Sequence, residues 1–297
     1  MSVPIESTTG GRSSLYRRAP VRLIVFFVVL FGADLCGHPT LVWAYHHSPA
    51  RVADWAALGA SIVLALVLIG VYAALVRGLE RRTATELAPG AGRALAGVAL
   101  GVALFTVVLA LIHAAGAAHL QGISAHYAPI PVLSASLLGA VGEELAFRGG
   151  VFRILEDSCG TTVALTLSAA IFGLMHTLNP GATLLSAVAI AIEAGVLLGA
   201  AYALTRNLWL PIGLHFGWNF ANGGIFGLAT SSSASKAIFA VTIAGPRLLT
   251  GGALRPDASV IAVAVCSTAA FVLILFTIRG HRWKRAPTGL SRRTGGR

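Results

Sequence analysis

Residues 130–150 read IPVLSASLLGAVGEELAFRGG, a mostly apolar stretch that nevertheless carries Glu143, Glu144 and Arg148. A membrane-spanning helix needs about 20 predominantly apolar residues, and this stretch has that length. Ionisable groups inside a span are costly, at least about 2.5–3.5 kcal/mol each near mid-helix. The stretch therefore predicts a transmembrane helix whose charges have a specific purpose.

The composition of the whole chain is that of a membrane protein. Its 297 residues are 56% hydrophobic and 11% charged, whereas soluble domains usually carry about 25% charged residues. The net charge of +11 comes mainly from basic clusters in both tails and in one loop. Such clusters flank apolar runs, so they indicate membrane topology and not nucleic-acid binding. The three cysteines show no CxxC spacing, which argues against a disulfide framework or a thiolate metal site.

The apolar runs predict an all-α, polytopic transmembrane helix bundle of about eight spans around a buried polar chamber. The candidate spans are 21–43, 55–77, 94–117, 130–150, 161–178, 183–205, 208–228 and 258–278. The first is interrupted by Asp34, His38 and Pro39, and a cleaved signal peptide is the alternative interpretation there.

The flanking arginines place both termini in the cytoplasm by the positive-inside rule. We expect a transmembrane domain over 20–279, preceded by a disordered cytoplasmic tail at 1–19 and followed by a basic cytoplasmic tail at 280–297. The preference for arginine over lysine, with abundant alanine and glycine, indicates a bacterial cell membrane as the location.

Of the eleven acidic residues, four fall within the predicted spans: Asp34, Glu143, Glu144 and Glu193. Glu144 and Arg148 are four residues apart on one helix face, so they can neutralise each other. Glu143 lies about 100° around the helix and is left free for chemistry. We expect Asp34 to have only a structural or near-interface role. We expect Glu193 to form either a hydrogen bond within the chamber or a contact between helices.

Two later spans carry further polar residues in helical register. His176 shares a face with Phe172, and His215 shares a face with Asn219. Each group alone has a structural explanation, such as a snorkelling ion pair or an interhelical hydrogen bond. Together, a carboxylate, two histidines and an amide are the groups needed to activate water and stabilise a tetrahedral intermediate.

These three motifs, in this order, resemble the CAAX prenyl protease type II family, also called the CPBP or ABI family of intramembrane proteases. That family's pattern is EExxxR, then FxxxH, then HxxxN. Here the pattern is carried by Glu143-Glu144 with Arg148, by Phe172 with His176, and by His215 with Asn219, and the resemblance covers about 130–222.

The resemblance implies a catalytic role for each motif residue. Glu143 would be the general base, working with His176 to activate water, while Glu144 and Arg148 would organise the site. His215 and Asn219 would stabilise the oxyanion. The alternative is a divalent metal such as zinc, bound by His176, His215 and Glu143; we favour activation of water by glutamate without an obligatory metal.

The predicted function is therefore an intramembrane endopeptidase that acts on a membrane-associated protein or peptide in the lipid bilayer. A non-catalytic scaffold or immunity-type partner-binding protein of the same fold is the alternative. A transporter is a weaker alternative, because the sequence lacks repeated halves.

The depths of the candidate residues in the membrane do not agree. Counting along the spans puts Glu143 and His215 towards the cytoplasm and His176 on the far side. A tilt, a kink or a mistaken span boundary would bring them to a common depth. His113 is expected to be structural.

Overall fold

The structure, a computed structural model, describes residues 19–124, 127, 129–228 and 237–286. Most of these residues are helical, which confirms the all-α bundle. The strands within these ranges form one two-stranded antiparallel ribbon, in which Ala118–Ile123 (β1) pairs with Phe239–Ile243 (β2). Most of the predicted N-terminal tail, up to residue 18, and the end of the predicted C-terminal tail, 287–297, lie outside the described residues.

The helices follow one another with short connections. They are α1 (Ala19–His47), α2 (Ala53–Leu75), α3 (Ala91–Ala114), α4 (Ile130–Glu144), α5 (Arg153–Met175), α6 (Leu184–Ile190), α7 (Leu197–Thr205), α8 (Trp209–Phe220), α9 (Arg247–Thr250) and α10 (Val260–Arg279). Stretches of π-helix, with their wider turn, extend or join several of them: Val76–Glu80, Leu145–Phe152, Ala191–Val196 and Ala221–Ile225. Short 3₁₀ segments lie at Thr85–Leu87, His176–Leu178 and Gly252–Ala258.

Within the described residues, six helical stretches are long and apolar enough to cross a membrane, so the expected number of eight spans is wrong. The expected spans 130–150 and 161–178 belong to one helical stretch of 49 residues, Ile130–Leu178. The expected span 208–228 corresponds to α8 and its π-helical extension, which together are too short to be a candidate membrane span. The chain is nevertheless an integral membrane protein, as its composition predicts.

Gly160 breaks the long helical stretch into two arms. Its backbone has φ 81° and ψ 169°, a conformation that only glycine adopts without strain. The two arms then run antiparallel, and the Phe147 and Phe172 rings meet with centroids 5.0 Å apart. Gly160 lies midway in sequence between Glu143 and His176, so the hairpin brings these two residues to a similar depth. The difference in depth expected from the sequence therefore came from a mistaken span boundary, namely the predicted end of the fourth span at residue 150.

Helices α3 and α8 run parallel and pack closely through glycines. Gly97 and Gly101 of α3 lie against the backbone of α8, while Gly213 and Gly217 of α8 lie against the backbone of α3. Such small-xxx-small pairs allow close approach of membrane helices. With 100° per residue, His215 projects from the opposite side of α8, away from α3. The glycine contact therefore directs the His215 side chain towards the interior of the helix bundle.

The C-terminal segment after α10 is fixed to the hairpin turn. Lys284 pairs with Asp157 at 2.8 Å and with Glu156 at 3.3 Å. Its backbone carbonyl accepts a hydrogen bond from the Thr161 N–H at 2.9 Å, and its own N–H donates to Thr161 Oγ1 at 2.9 Å. The first residues of the predicted basic tail are thus an ordered part of the fold.

Candidate active site

Four of the predicted site residues line one cavity of about 410 Å³ inside the helix bundle. They are Glu143 of α4, His176 of the 3₁₀ segment after α5, and His215 and Asn219 of α8. We call this cavity the chamber. The sequence expectation of one shared polar chamber matches this arrangement, and His176 lies with the other three despite its apparent depth.

Glu144 is the centre of a buried polar network behind the chamber. Its Oε1 accepts hydrogen bonds from Arg148 Nη1 at 2.8 Å and from His215 Nδ1 at 2.9 Å. Arg148 Nη2 also donates to the carbonyl oxygens of Ala194 at 3.2 Å and Gly195 at 3.1 Å. The expected Glu144–Arg148 pair is present, and its contact with His215 adds a third member that the sequence did not reveal.

Glu143 points away from this network and into the chamber. Its Oε2 is buried and has no hydrogen-bond partner among the described residues. A buried carboxylate oxygen without a partner is costly, so such an atom normally binds water or a ligand. Glu144 Oε2 also has no partner among the described residues, but Glu144 does not line the chamber, so Glu143 is the glutamate of this pair whose side chain faces it.

His176 is held by the helix turn below it. Its Nδ1 lies 2.8 Å from the Phe172 carbonyl oxygen, which can only accept, so Nδ1 carries the proton and Nε2 is free. The Phe172 ring lies beneath the imidazole, with ring centroids 4.7 Å apart. On the same ring, the Arg148 guanidinium sits 4.6 Å from the centroid. Phe172 thus links the FxxxH motif to the EExxxR motif.

The alternative of a zinc site does not fit this arrangement. No group of three or more His, Cys, Asp or Glu residues in the described ranges could hold a metal ion, and this includes His176, His215 and Glu143. The cationic Arg148 also lies 2.8 Å from Glu144, next to His215, which disfavours a second cation there. The expected metal role of these residues is accordingly not supported.

Asp257 enters the chamber although sequence reasoning missed it. It lies in the 3₁₀ segment before α10 and accepts hydrogen bonds from Trp218 Nε1 at 3.0 Å and Asn222 Nδ2 at 3.1 Å. Arg255, with φ 56°, and the preceding Gly251 and Gly252 turn this segment inward. An aspartate just before an apolar run looks like an ordinary helix cap, so no sequence signal identified it.

Three other polar residues have defined places. The Asp34 carboxyl presses against Gly142, next to Glu143, so closely that a Cβ there would collide with it. Glu193 lies in the π-helical stretch after α6 and faces a small pocket beside the chamber. His113 lies at the end of α3, where its Nδ1 is 2.6 Å from the Ala118 carbonyl oxygen, and is not among the chamber residues.

Three of the four π-helical stretches in the described residues coincide with the site. Arg148, Glu193 and Asn222 each lie in one of them. Short π segments occur frequently at functional sites, because the wider turn shifts side chains out of the ordinary helical register. The irregular backbone therefore concentrates where the polar residues converge.

Comparison with known proteins gives one match. Residues 125–221 match the model of the family described as "Type II CAAX prenyl endopeptidase Rce1-like". The match includes all six predicted catalytic residues but ends before Asp257. No curated protein and no solved structure matches the chain. The family is the one that the three motifs resemble: the chain is a polytopic membrane protein with an Rce1-like domain of the CPBP, or type II CAAX prenyl protease, family.

Proposed function

We propose that this protein is an intramembrane endopeptidase that hydrolyses a peptide bond with a water molecule activated by Glu143. The observation that carries the proposal is the unpartnered Glu143 carboxylate oxygen in the same cavity as His176, His215 and Asn219. The family match supports a protease, and the arrangement of these side chains supports the assignment of their roles.

In the proposed reaction, Glu143 takes a proton from water while the resulting hydroxide attacks the carbonyl carbon of the substrate. His176 orients this water through Nε2, since its Nδ1 proton is held by the Phe172 carbonyl. The carbonyl oxygen becomes an oxyanion in the tetrahedral intermediate. Glu143 then gives the proton to the leaving amine as the C–N bond breaks, so that the carboxylate is regenerated.

His215 and Asn219 stabilise the oxyanion in this scheme. Glu144 holds the His215 ring by Nδ1, so that the opposite edge, Nε2, faces the chamber. A carboxylate in this position fixes the orientation of the ring and favours a positive charge on it, as in other carboxylate–histidine pairs. A charged ring donates from Nε2 to the oxyanion. Arg148 keeps Glu144 in place and balances its charge.

The substrate class is a membrane-associated protein or peptide, because much of the chamber is lined by helical stretches that are long and apolar enough to cross a membrane. The location that the sequence predicts, a bacterial cell membrane with both termini in the cytoplasm, is part of the proposal. No step requires a metal ion, and the site residues do not form a metal-binding group within the described ranges.

The test is the Glu143→Gln variant, which keeps the side-chain shape but cannot accept the proton from water. We expect cleavage by the purified protein to fall by about 10²–10⁴-fold, while its thermal unfolding in detergent stays unchanged. Quantitative proteomics of membranes should show an uncleaved precursor that accumulates with Glu143→Gln. Asp157→Asn, at a half-exposed carboxylate outside the chamber, is the matched control and should cleave normally. Full activity of Glu143→Gln would refute the proposal.

A further inference from the structure

A second, smaller cavity of about 60 Å³ opens from the wall of the chamber. We call it the inner pocket. His176, His215, Asn219 and Asp257 line both cavities, so the proposed reaction centre lies at their junction. The remaining walls of the inner pocket are mostly apolar and include Leu197, Leu214, Trp218 and Cys266. A substrate in the chamber can therefore place one side chain into this pocket.

Glu193 is the unusual feature of the inner pocket. The residue is 2% exposed, and its Oε2 has no hydrogen-bond partner among the residues that the structure describes. Arg148 donates to the carbonyls of Ala194 and Gly195 beside it, but it pairs with Glu144 instead of Glu193. An unpaired buried carboxyl is costly, so this atom is suited to a donor that arrives with the substrate.

The size of the pocket limits what that donor can be. A cavity needs roughly 10–15 Å³ to hold one water-sized sphere. The inner pocket, at 60 Å³, therefore accommodates about four to six non-hydrogen atoms. A lysine side chain has an aliphatic stem for the apolar walls and an ammonium group for the carboxyl, within that number of atoms. An arginine side chain is larger and ends in a rigid planar group. A glutamate would place a second negative charge against Glu193.

We propose that the inner pocket is a specificity pocket that binds a lysine side chain of the substrate next to the cleaved bond, with Glu193 accepting from its ammonium group. Asp257, already bonded to Trp218 and Asn222, adds a second carboxylate at the mouth of the pocket. This inference rests on the proposed peptidase function and adds the substrate residue that the site selects.

The test uses a pool of synthetic apolar peptides in dodecyl maltoside micelles. The peptides share one sequence except for a single position, which is lysine, arginine, norleucine, glutamine or glutamate. Mass spectrometry gives the cleavage site and rate of each peptide with the wild type, Glu143→Gln and Glu193→Gln. Norleucine is the matched peptide because it keeps the aliphatic stem without the ammonium group.

We expect the wild type to cleave next to lysine about tenfold or more faster than next to norleucine, as for a lost hydrogen bond to a charged group. Glu193→Gln should remove most of this preference while cleavage next to norleucine continues. Glu143-dependent cleavage without a lysine preference would overturn the specificity pocket but leave the peptidase function intact. Absence of Glu143-dependent cleavage would overturn both.

The wild-type ratio alone decides the lysine preference, even if Glu193→Gln fails to fold. A second variant, Ala194→Leu, narrows the pocket from its wall without touching the carboxyl. It should slow cleavage next to lysine and norleucine alike. If Ala194→Leu leaves both rates unchanged, the side chain does not enter this pocket.

Discussion

His215 donates a hydrogen bond from Nδ1 to Glu144 Oε1 at 2.9 Å, and the two residues are 71 positions apart in the chain. This contact joins the EExxxR and HxxxN motifs into one unit, because Arg148 binds the same carboxylate oxygen at 2.8 Å. Both Glu144 and Arg148 are almost completely buried, at 0% and 1% exposure. The pair therefore supports the fold and orients a proposed catalytic histidine at the same time.

These two roles can be separated by mutation. Glu144→Gln should destabilise the protein by about 3–5 kcal/mol, because Arg148 is left as an uncompensated buried charge. The double variant Glu144→Leu/Arg148→Met removes both charges and should recover most of that stability. It should still cleave about 10²–10⁴-fold more slowly than the wild type, because His215 has lost its partner. Thermal unfolding in detergent and peptide cleavage measure the two effects.

Two outcomes for the single and double variants would contradict these two roles of Glu144. If both unfold at the same temperature, the buried pair is not the source of the instability. If the double variant is stable and fully active, Glu144 has no part in orienting His215.

Much of the site was predictable from local sequence, because helical spacing alone decides which side chains share a face. The Glu144–Arg148 pair, the separate direction of Glu143 and the Phe172–His176 contact follow from that rule. The hairpin was not predictable, since Gly149-Gly150 looks like the end of a span. In the structure these glycines are packing positions: a Cβ on Gly149 would lie 2.6 Å from Tyr72 Cε2, and one on Gly150 would lie 3.2 Å from Phe26 Cβ.

Asp257 and the inner pocket could not be predicted for a different reason. Their position depends on contacts between distant parts of the chain, namely the segment before α10 and the helix α8. No periodicity in the sequence records such a contact. The same holds for His215 and Glu144, whose shared hydrogen bond depends on the packing of α8 against both α3 and α4.

The glycine contact between α3 and α8 makes a prediction on folding. A Cβ on Gly97 would lie 2.7 Å from the backbone nitrogen of Leu214, so the two helices would have to separate. We expect Gly97→Ala to destabilise the protein by about 1–3 kcal/mol and to lower activity by displacing His215. Gly92→Ala, on the same helix, is the control, because a Cβ there meets nothing within 4 Å. Equal unfolding temperatures for the two variants would contradict the close packing.

Peptide cleavage is expected to persist in the presence of a metal chelator. His176, His215 and Glu143 do not form a metal-binding group within the described ranges, and Arg148 places a positive charge against Glu144, next to His215. A divalent cation would have to compete with this charge. The measurement is the cleavage rate after treatment with 1,10-phenanthroline, together with the metal content of the purified protein. Loss of activity that added zinc restores would contradict the prediction.

Glu86, in the loop between α2 and α3, predicts how stability depends on pH. The side chain is buried and accepts hydrogen bonds from Arg82 Nη1 and Nη2, each at 2.8 Å, and from the Tyr72 hydroxyl. Burial acts to raise the pKa of Glu86, but the hydrogen bonds from Arg82 and Tyr72 outweigh it and hold the pKa below its ordinary value of 4.5. Such a carboxylate stabilises the fold above its unfolded-state pKa, and this contribution is lost as the pH falls through the folded-state pKa.

Glu86→Gln should therefore destabilise the protein at pH 7 by roughly 1.5–3 kcal/mol, the usual contribution of hydrogen bonds to a charged group. The difference from the wild type should shrink as the pH falls below 4.5, where the wild-type carboxyl also becomes neutral. Thermal unfolding in detergent between pH 7 and pH 3 measures this. Asp157→Asn, at a carboxylate whose side chain is 45% exposed, is the control and should change stability little at either end. A Glu86→Gln difference that stays constant across this range would show that the charge of Glu86 does not stabilise the loop.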